Sequence, residues 1–387
     1  MSDAAEPLAA FRDQFAVTQT MAYFSNGSIT PAARAVVDAL HDWQDRWTRD
    51  PQVGYRRYPQ LLEQLRAGMA ALLGCEPDEV AITDNTSRGS ILAVRALADR
   101  KGSHVLVDRT TYPSSRYPWL ALTGKSLAHV DDGGADGPGP LASRITDETC
   151  AVSVSHVDWF TGVRHDVEAL ATAAHRKGAV LIVDGSQSVG AVPVDVRKAG
   201  IDVLVGTFGK WLLGGPGLGF VYMRRSLLEA APMVEPGWRN FVAKGHAWPM
   251  DEMPERAAGA RIFEPGLPNI NGLVAAQAGL DLVLSTGVGT IASAISALAG
   301  RARNGLAEIG MPVLTPADPA RRAGLLAFPL ADAPALAAHL RERGVEITGY
   351  PYGHVRIDPH AYNTAEEVGL MLDAVSDYMK RKGPRNG

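Results

Sequence analysis

The chain has 387 residues, 46% of them hydrophobic, and a formal net charge of −4. A chain of this size can bury a large core, and we expect one large domain with a smaller one beside it. Its slightly acidic balance provides no basic surface for nucleic acid, so a nucleic-acid partner is not expected.

The cysteine content and the N-terminal residues predict the cell compartment. Cys75 and Cys150 are too few for a disulfide framework or a cysteine zinc site, which is typical of a reducing cytoplasm. Residues 1–22 include acids and lack the basic and then apolar pattern of a signal peptide. No uninterrupted apolar run is long enough to span a membrane. We therefore expect a cytoplasmic protein with no membrane partner and no metal site.

Short apolar runs alternate with helical patterns through the first two-thirds of the chain. Five runs that are apolar throughout, as strands buried on both faces are, predict strands: EVAIT (79–83), HVLVD (104–108), AVSVSHV (151–157), AVLIVD (179–184) and DVLVG (202–206). The stretch DVEALATAAHRKG (166–178) predicts a helix that Gly178 ends. This alternation predicts an α/β fold with a mainly parallel sheet covered by helices on both sides.

Two further segments of this region have a distinct pattern. GFVYMRR (219–225) follows a glycine turn so closely that we expect it to pair antiparallel with the preceding strand. The cluster DDGGADGPGP (131–140) is rich in glycine and proline and predicts a surface loop.

The sequence pattern changes after residue 265. Ala-rich helices at 272–309 lead to the apolar run GLLAFPLA, a helix at 333–344, the strand HVRID (354–358) and a final helix from Thr364. This order predicts a smaller C-terminal α+β domain. The predicted division is an N-terminal segment 1–22, a large domain 23–265 and a small domain 266–387.

The first candidate for chemistry is Lys210, in the glycine-rich stretch VGTFGKWLLGGPGLGFVYM (205–223). The glycines allow the backbone to approach a neighbour closely. A lysine removed from water has a lowered pKa, and its neutral amine is a nucleophile toward aldehydes. The alternative is an ordinary solvated loop lysine, and the stretch alone does not decide between the two.

Asp184 ends the strand AVLIVD, at the edge of a parallel sheet where ligands gather. A turn aspartate is one interpretation. The other is a carboxylate that keeps a heteroaromatic nitrogen protonated, as pyridoxal 5'-phosphate (PLP) requires. Gln187, three residues later, is then placed to donate to the ring hydroxyl.

Four other side chains fit the same hypothesis. A helix predicted to begin near Thr86 or Ser87 provides N–H groups and hydroxyls for a phosphate, and Thr207 adds a further hydroxyl. Tyr112 follows the strand HVLVD and is positioned to stack on a flat cofactor, or else to pack in the core.

Arg356 lies in the predicted strand HVRID of the second domain. A planar guanidinium is a usual partner of a substrate carboxylate. The alternative is an arginine on the surface, which a position within a strand makes less favourable.

Three motifs in this order resemble the class V aminotransferase group of fold-type I PLP enzymes: LIVDGSQSVGAVPVDV, VGTFGKWLLGGPGLGFVYM and VRIDPHAYNTAEEV. The group includes cysteine desulfurases, kynureninases, isopenicillin N epimerase-like proteins and cysteine C–S lyases, and the resemblance runs from about Tyr23 to the C-terminal helix. It implies PLP as cofactor and a homodimer with the active site at the subunit interface.

The resemblance also implies roles for individual residues. Lys210 corresponds to the lysine that forms the Schiff base, Asp184 to the pyridinium partner and Gln187 to the contact of the PLP hydroxyl. Thr86, Ser87 and Thr207 correspond to phosphate ligands, Tyr112 to the stacking aromatic and Arg356 to the residue that binds the substrate α-carboxylate. Trp238 and Arg239, in PGWRNF (236–241), are expected to face the substrate.

Departures from the family patterns narrow the reaction. Residues 310–355 lack the cysteine that desulfurases carry on a mobile loop. Gln187 and Gly209 stand where kynureninases have a histidine and a tyrosine. These differences disfavour desulfuration and kynurenine hydrolysis.

The resulting prediction is an enzyme that acts on a small-molecule α-amino acid through an external aldimine and a quinonoid carbanion. β-Elimination on a cysteine-type or S-conjugate substrate is preferred by analogy to family members without the catalytic cysteine. Transamination and epimerisation remain alternatives, and a kynureninase-like hydrolase is less favoured. A non-catalytic PLP-fold binding module is disfavoured because Lys210 and Asp184 are both present. A P-loop or dinucleotide-binding protein is disfavoured because no nucleotide-binding glycine motif follows a first strand.

Overall fold

A computed structural model describes residues 5–130, 139–242 and 251–382. Its strands are β1 Ala22–Tyr23, β2 Val80–Thr83, β3 His104–Asp108, β4 Ser126–Val130, β5 Thr149–Ser155, β6 Val180–Asp184, β7 Val203–Thr207, β8 Gly219–Met223, β9 Leu326–Pro329, β10 Val345–Glu346, β11 Thr348–Tyr350 and β12 His354–Ile357. Its helices are α1 Ala5–Arg12, α2 Arg34–Arg49, α3 Val53–Leu73, α4 Thr86–Leu97, α5 Pro113–Leu122, α6 Gly139–Ser143, α7 Val167–Arg176, α8 Arg225–Ala230, α9 Ile270–Thr286, α10 Val288–Glu308, α11 Ala333–Arg341 and α12 Ala365–Lys382.

The central sheet has seven strands in the order β2-β8-β7-β6-β5-β3-β4. Strands β3 to β7 pair in parallel, whereas β8 runs antiparallel to both of its neighbours, β2 and β7. The residues of β5, β6 and β8 are all buried, and separate apolar clusters cover the two faces of the sheet. The predicted α/β class, the mainly parallel sheet and the reversed strand are therefore confirmed.

The five predicted strands are present with small shifts at their ends, but β4 is absent from the prediction. Its sequence, SLAHV, is mostly half-exposed or exposed, and it pairs with β3 alone. An edge strand contacts solvent, so it needs no continuous apolar run. The predicted loop 131–140 follows it. Residues 131–138 of that loop lie outside the described residues, and α6 begins at Gly139.

A second, three-stranded antiparallel sheet in the order β11-β12-β9 packs with α10, α11 and α12 around a separate apolar cluster. Strand β1, near the N-terminus, pairs in parallel with β10 and thereby joins this part of the molecule. Helix α9 contacts α2 and α3 and buries Leu273 and Leu280 in the core of the large sheet. The domain boundary at residue 265 stays a prediction.

Helices α9 and α10 are the most apolar of the long helices. Among the described residues, no single helix is both long enough and apolar enough to cross a membrane. The two helices satisfy length and composition only when taken together, and the chain bends by 80° between them.

Candidate active site

A cavity of about 210 Å3 lies where five strands of the central sheet end. The segments that follow β2, β3, β5, β6 and β7 contribute the lining residues: Asn85, Thr86, Ser87, Tyr112, Ser114, Ser155, Val157, Trp159, Asp184, Ser186, Gln187, Thr207 and Lys210. All seven side chains predicted to hold the cofactor are in this set. Carboxyl ends of parallel strands meet at one edge of a sheet, which explains why residues distant in sequence come together.

Lys210 lies three residues after the end of β7 and is held by its backbone. The hydroxyl of Thr30 donates to the Lys210 carbonyl over 2.8 Å. A Cβ on Gly209 would come within 2.9 Å of the carbonyl oxygen of Gly215, so the turn requires glycine at that position. The close packing that the glycines permit keeps the lysine side chain largely out of water.

Burial lowers the pKa of Lys210 to about 8, and the positive charge of Arg356 adds to this effect. The carboxylates of Asp184 and Asp358 act in the opposite direction by favouring the ammonium. Burial has the largest influence, so more of the amine is neutral near neutral pH than for an exposed lysine. The structure thus favours the nucleophilic interpretation of Lys210 over that of a solvated loop lysine.

Asp184 is 5% exposed and ends the strand next to that of Lys210. Its Oδ1 accepts from the backbone N–H of Ser186 at 2.9 Å, and its Oδ2 accepts from the hydroxyl of Ser115 at 3.3 Å. The carboxylate is therefore oriented at the cavity wall, where a protonated ring nitrogen would find a charged acceptor.

Gln187 is also fixed by two contacts. Its Nε2 donates to the Gly27 carbonyl at 2.9 Å, and its Oε1 accepts from the indole N–H of Trp211 at 3.0 Å. One of its two amide hydrogens is used in the bond to Gly27, and an amide carries a second. Gln187 thus retains a donor of the kind that a ring hydroxyl accepts.

The N-terminus of α4 has the composition of an oxyanion site. Asn85 caps the helix by accepting from the backbone N–H of Arg88 at 2.9 Å. At the cavity, the hydroxyls of Thr86 and Ser186 lie 2.9 Å apart, and those of Ser87 and Ser114 lie 2.7 Å apart. Hydroxyls that bond to one another beside free helix N–H groups form a donor set that suits a phosphate.

Thr207 and Tyr112 complete the predicted cofactor residues. Thr207 lines the cavity, but its hydroxyl already donates to the Leu218 carbonyl at 3.1 Å. Tyr112 is 44% exposed, and its ring meets that of Trp159 edge-on at 5.4 Å. Tyr112 is therefore not a packed core tyrosine.

Arg356 lies beside the cavity and is 2% exposed. Its Nε donates to Asp358 Oδ2 at 3.0 Å, and its Nη2 donates to the hydroxyl of Ser28 at 2.8 Å. Its Nη1 approaches the carbonyl of Trp159, a cavity residue, at 3.5 Å. Two of the three nitrogens are thus held within the protein, and the one with the weakest contact is directed toward the cavity wall.

Trp238 and Arg239 are not among the residues that line this cavity. Arg239 is buried, lies over the ring of Tyr58 at 5.2 Å and pairs with Glu264 at 3.7 Å. Trp238 is 44% exposed. The structure of one chain does not bring them to the site, and their contact with substrate stays a prediction.

Sequence reasoning did not single out Asp358 and Trp159. Asp358 follows Arg356 by two residues, a spacing that places both side chains on one face of an extended segment. Trp159 lies four residues after the end of β5, a strand that was predicted without its functional loop. Within the described ranges, no group of three or more His, Cys, Asp or Glu side chains is arranged to hold a metal ion.

Comparison with known proteins identifies the family. The family model described as Aminotransferase class-V matches residues 22–370. The Uncharacterized aminotransferase YcbU of Bacillus subtilis is 30% identical over 372 residues, which are 95% of this chain and 96% of the relative. These two matches cover nearly the whole chain.

Solved structures have the same fold. The apo cysteine desulfurase of Thermococcus onnurineus is 24% identical, with a TM-score of 0.86 over 96% of this chain and 98% of its own. The cystine C–S lyase C-DES, solved with cysteine persulfide, is 22% identical, with a TM-score of 0.84 over 94% and 99% of the two chains.

The cavity has groups whose chemistry fits PLP: a lysine with lowered pKa, a buried carboxylate as acceptor and a hydroxyl-rich helix N-terminus. PLP is the cofactor of this family, and the sequence and structure agree on the fold that carries it. The chain therefore belongs to the class-V aminotransferase family and is a fold-type I PLP-dependent enzyme.

Proposed function

We propose that the enzyme catalyses β-elimination on a cysteine-type amino acid or cysteine S-conjugate. One water is consumed, the Cβ–S bond breaks, and the products are a thiol, pyruvate and ammonia. Bound PLP supplies the electron sink for bond cleavage at the α-carbon of an amino acid. The observation that carries the proposal is a cavity lined by all seven residues predicted to hold PLP but by no cysteine.

The cysteines disfavour desulfuration, which needs a nucleophilic thiolate to take sulfur from the substrate. Cys150 is buried within β5, and burial raises the pKa of its thiol. Burial also raises the pKa of Cys75 to about 12, with further contributions from nearby Glu79. Neither residue lines the cavity, so a sulfur-containing leaving group has no protein thiolate to receive it.

Each site residue has a role that follows from its environment. With the cofactor bound, the Lys210 Nζ would hold its aldehyde carbon and, once released, would take the α-proton of the substrate, because its lowered pKa leaves more of the amine unprotonated near neutral pH. Asp184 stabilises the protonated ring nitrogen, and Gln187 donates to the ring hydroxyl. Tyr112 covers the ring.

Different residues are assigned to the phosphate and to the substrate carboxylate. Thr86, Ser87 and the N-terminus of α4 bind the phosphate, and Thr207 adds a hydroxyl when it leaves the Leu218 carbonyl. Arg356 binds the substrate carboxylate through Nη1. We keep Trp238 and Arg239 as candidate substrate contacts.

Transamination is the second candidate, because the relative from Bacillus subtilis that matches over 95% of this chain is described as an aminotransferase. The first half-reaction would use the same Lys210 base, but the Cβ–S bond would stay intact and the proton would then be delivered to the cofactor side of the imine. Epimerisation corresponds to its return to the opposite face of the α-carbon.

We further propose that the enzyme is a cytoplasmic homodimer with the active site at the subunit interface, as its family resemblance implies. Sedimentation of the holoenzyme would test the assembly. A monomeric holoenzyme with full activity would contradict an interfacial site.

The products distinguish these reactions. The holoenzyme is mixed with S-substituted L-cysteines, and pyruvate, thiol and the visible absorption of the bound cofactor are followed. Pyruvate and thiol in equal amounts with a cofactor spectrum that returns after each addition support elimination. A spectrum that bleaches and recovers only with a keto acid indicates transamination, and loss of optical rotation without pyruvate indicates epimerisation. Lys210→Ala is the control that abolishes all three reactions.

A further inference from the structure

Four aromatic side chains extend from the cavity to its solvent-exposed mouth, and we call them the aromatic wall: Tyr112, Trp159, Tyr350 and Tyr352. Trp159 meets Tyr112 edge-on at 5.4 Å and Tyr350 edge-on at 6.3 Å. Tyr350 stacks on Tyr352, with ring centres 5.0 Å apart and planes inclined by 17°. The four rings therefore form one continuous surface rather than separate contacts.

The wall combines residues that follow strands of the central sheet with residues of the three-stranded sheet, and two of its rings are exposed. Tyr112 and Trp159 line the cavity, whereas Tyr350 and Tyr352 belong to the β11–β12 hairpin. Tyr112 is 44% and Tyr352 is 58% exposed. The indole N–H of Trp159 is used within the protein, donating to the Thr110 carbonyl at 2.8 Å. Large exposed aromatic surfaces at a cavity mouth mark a binding surface.

Arg356 relates the wall to the substrate. Its guanidinium lies over the ring of Tyr350, 5.8 Å from the ring centre, and its Nη1 faces the Trp159 carbonyl. A carboxylate bound there would lie beside the wall, within reach of the side chain on the same α-carbon. Asp358 balances the charge of Arg356 at 3.0 Å. The surface offered to that substituent thus consists of aromatic rings beside a paired charge.

We propose that the aromatic wall selects amino acids whose side chain ends in a flat aromatic group, such as an S-benzyl or S-aryl cysteine. The sulfur atom in these suggested substrates rests on the proposed function, whereas the preference for an aromatic ring does not. The ring of the substituent stacks on Tyr350 and Tyr352 at the mouth, in the offset arrangement that aromatic pairs prefer. Tyr350 and Tyr352 are specificity residues in this proposal, with no part in proton transfer.

The first test measures kcat/KM of the holoenzyme for S-benzyl-L-cysteine and S-methyl-L-cysteine. We expect a preference of about 10-fold or more for the benzyl substrate, from stacking together with burial of the ring. Tyr352→Ala should reduce this ratio mainly through KM, and Tyr352→Phe should restore it. Tyr117→Ala is the matched control, because Tyr117 is 59% exposed on α5 outside the cavity.

A second test does not depend on the bond that breaks. The dissociation constants of L-phenylalanine and L-alanine are measured by calorimetry on the holoenzyme and on Tyr352→Ala. Tighter binding of phenylalanine that is lost in Tyr352→Ala supports the wall, even if no S-substituted cysteine yields pyruvate and the elimination proposal fails. Equal affinities, or a ratio unaffected by Tyr352→Ala, would overturn it. A holoenzyme dimer that dissociates on Tyr352→Ala would also overturn it, by showing that these rings form a subunit contact.

Discussion

Opposing charges and burial set the reactivity of Lys210. Removal from water disfavours the ammonium, and Arg356 adds repulsion, whereas Asp184 and Asp358 attract the charge. Burial prevails and lowers the pKa to about 8. A lysine with two carboxylates nearby would otherwise remain fully charged at neutral pH. Arg356, the proposed partner of the substrate carboxylate, therefore also influences the protonation of Lys210.

The pKa of Lys210 predicts how the apoenzyme takes up PLP. The protonated amine is not a nucleophile, so the rate of PLP binding should rise with pH, with a midpoint near 8. Asp358→Asn removes an attractive negative charge and should shift this midpoint to lower pH. Stopped-flow absorption measures both. A midpoint near 10.5, the ordinary value, would contradict the burial of the amine.

Arg356 should control affinity for the substrate carboxylate. Arg356→Ala should raise KM for α-amino acids far more than for the corresponding amines, which lack the carboxylate. This change also leaves Asp358 as an unpaired buried charge, which alone destabilises proteins by about 3–5 kcal/mol. The double variant Arg356→Gln/Asp358→Asn removes both charges and serves as the control. Equal KM changes for amino acids and amines in the double variant would argue against a carboxylate contact.

At the level of elements, the N-terminus of α4 positions the hydroxyls of Thr86 and Ser87. Its cap is Asn85, which itself lines the cavity. Gly219 of β8 lies against this turn, since a Cβ there would be 2.5 Å from the backbone carbon of Asn85. The reversed strand β8 thus supports the helix start from the neighbouring position in the sheet.

Two helix caps allow stability to be separated from cofactor binding. Asn85→Ala should lower the free energy of unfolding by ~1 kcal/mol and also weaken PLP binding, because the helix start loses its geometry. Asp166→Ala removes an equivalent cap on α7, where the carboxylate accepts from the N–H of Ala169 at 3.0 Å, away from the cavity. It should lower stability similarly without changing PLP affinity. Equal PLP affinities in the two variants would contradict a phosphate role for α4.

At the level of the whole molecule, the segment 25–30 connects the two halves of the site. Asn26 Nδ2 donates to the Asp358 carbonyl at 2.7 Å, and the N–H of Gly27 donates to its carboxylate at 3.0 Å. The Gly27 carbonyl accepts from Gln187, and Thr30 donates to the Lys210 carbonyl. The segment therefore links Arg356 and Asp358 to Lys210 and Gln187 through direct hydrogen bonds.

Asn26 should be important for this connection. Asn26→Ala removes the partner of the Tyr362 hydroxyl, which donates to Asn26 Oδ1 at 2.6 Å, and of the Asp358 carbonyl. Buried groups left without partners cost about 1–3 kcal/mol each, so urea unfolding should show a loss of that order. The double variant Asn26→Ala/Tyr362→Phe should recover part of it, since it removes one orphaned group. Strictly additive effects of the two substitutions would exclude this coupling.

The pattern of apolar runs in the sequence is enough to predict which strand ends carry the candidate site. Lys210, Asp184 and Tyr112 each follow a buried apolar run, and parallel strands bring their carboxyl ends to one edge. The hydroxyls at the start of α4 were predictable because helix N-termini have a local sequence pattern. The fold class, and the set of residues that meet in the cavity, could therefore be predicted without knowing how distant segments pair.

The side-chain contacts around these residues depend on the tertiary structure. The edge-on contact of Tyr350 with Trp159 and the contacts of the segment 25–30 with Asp358 join elements whose relative placement no local pattern specifies. Strand β4 was missed because an edge strand has a solvent-exposed side, and Arg239 proved to be buried beside Glu264. Local periodicity in the sequence indicates which face of one element is buried. Long-range contacts depend on the packing of the whole chain, and the proposed specificity of the site depends on such contacts.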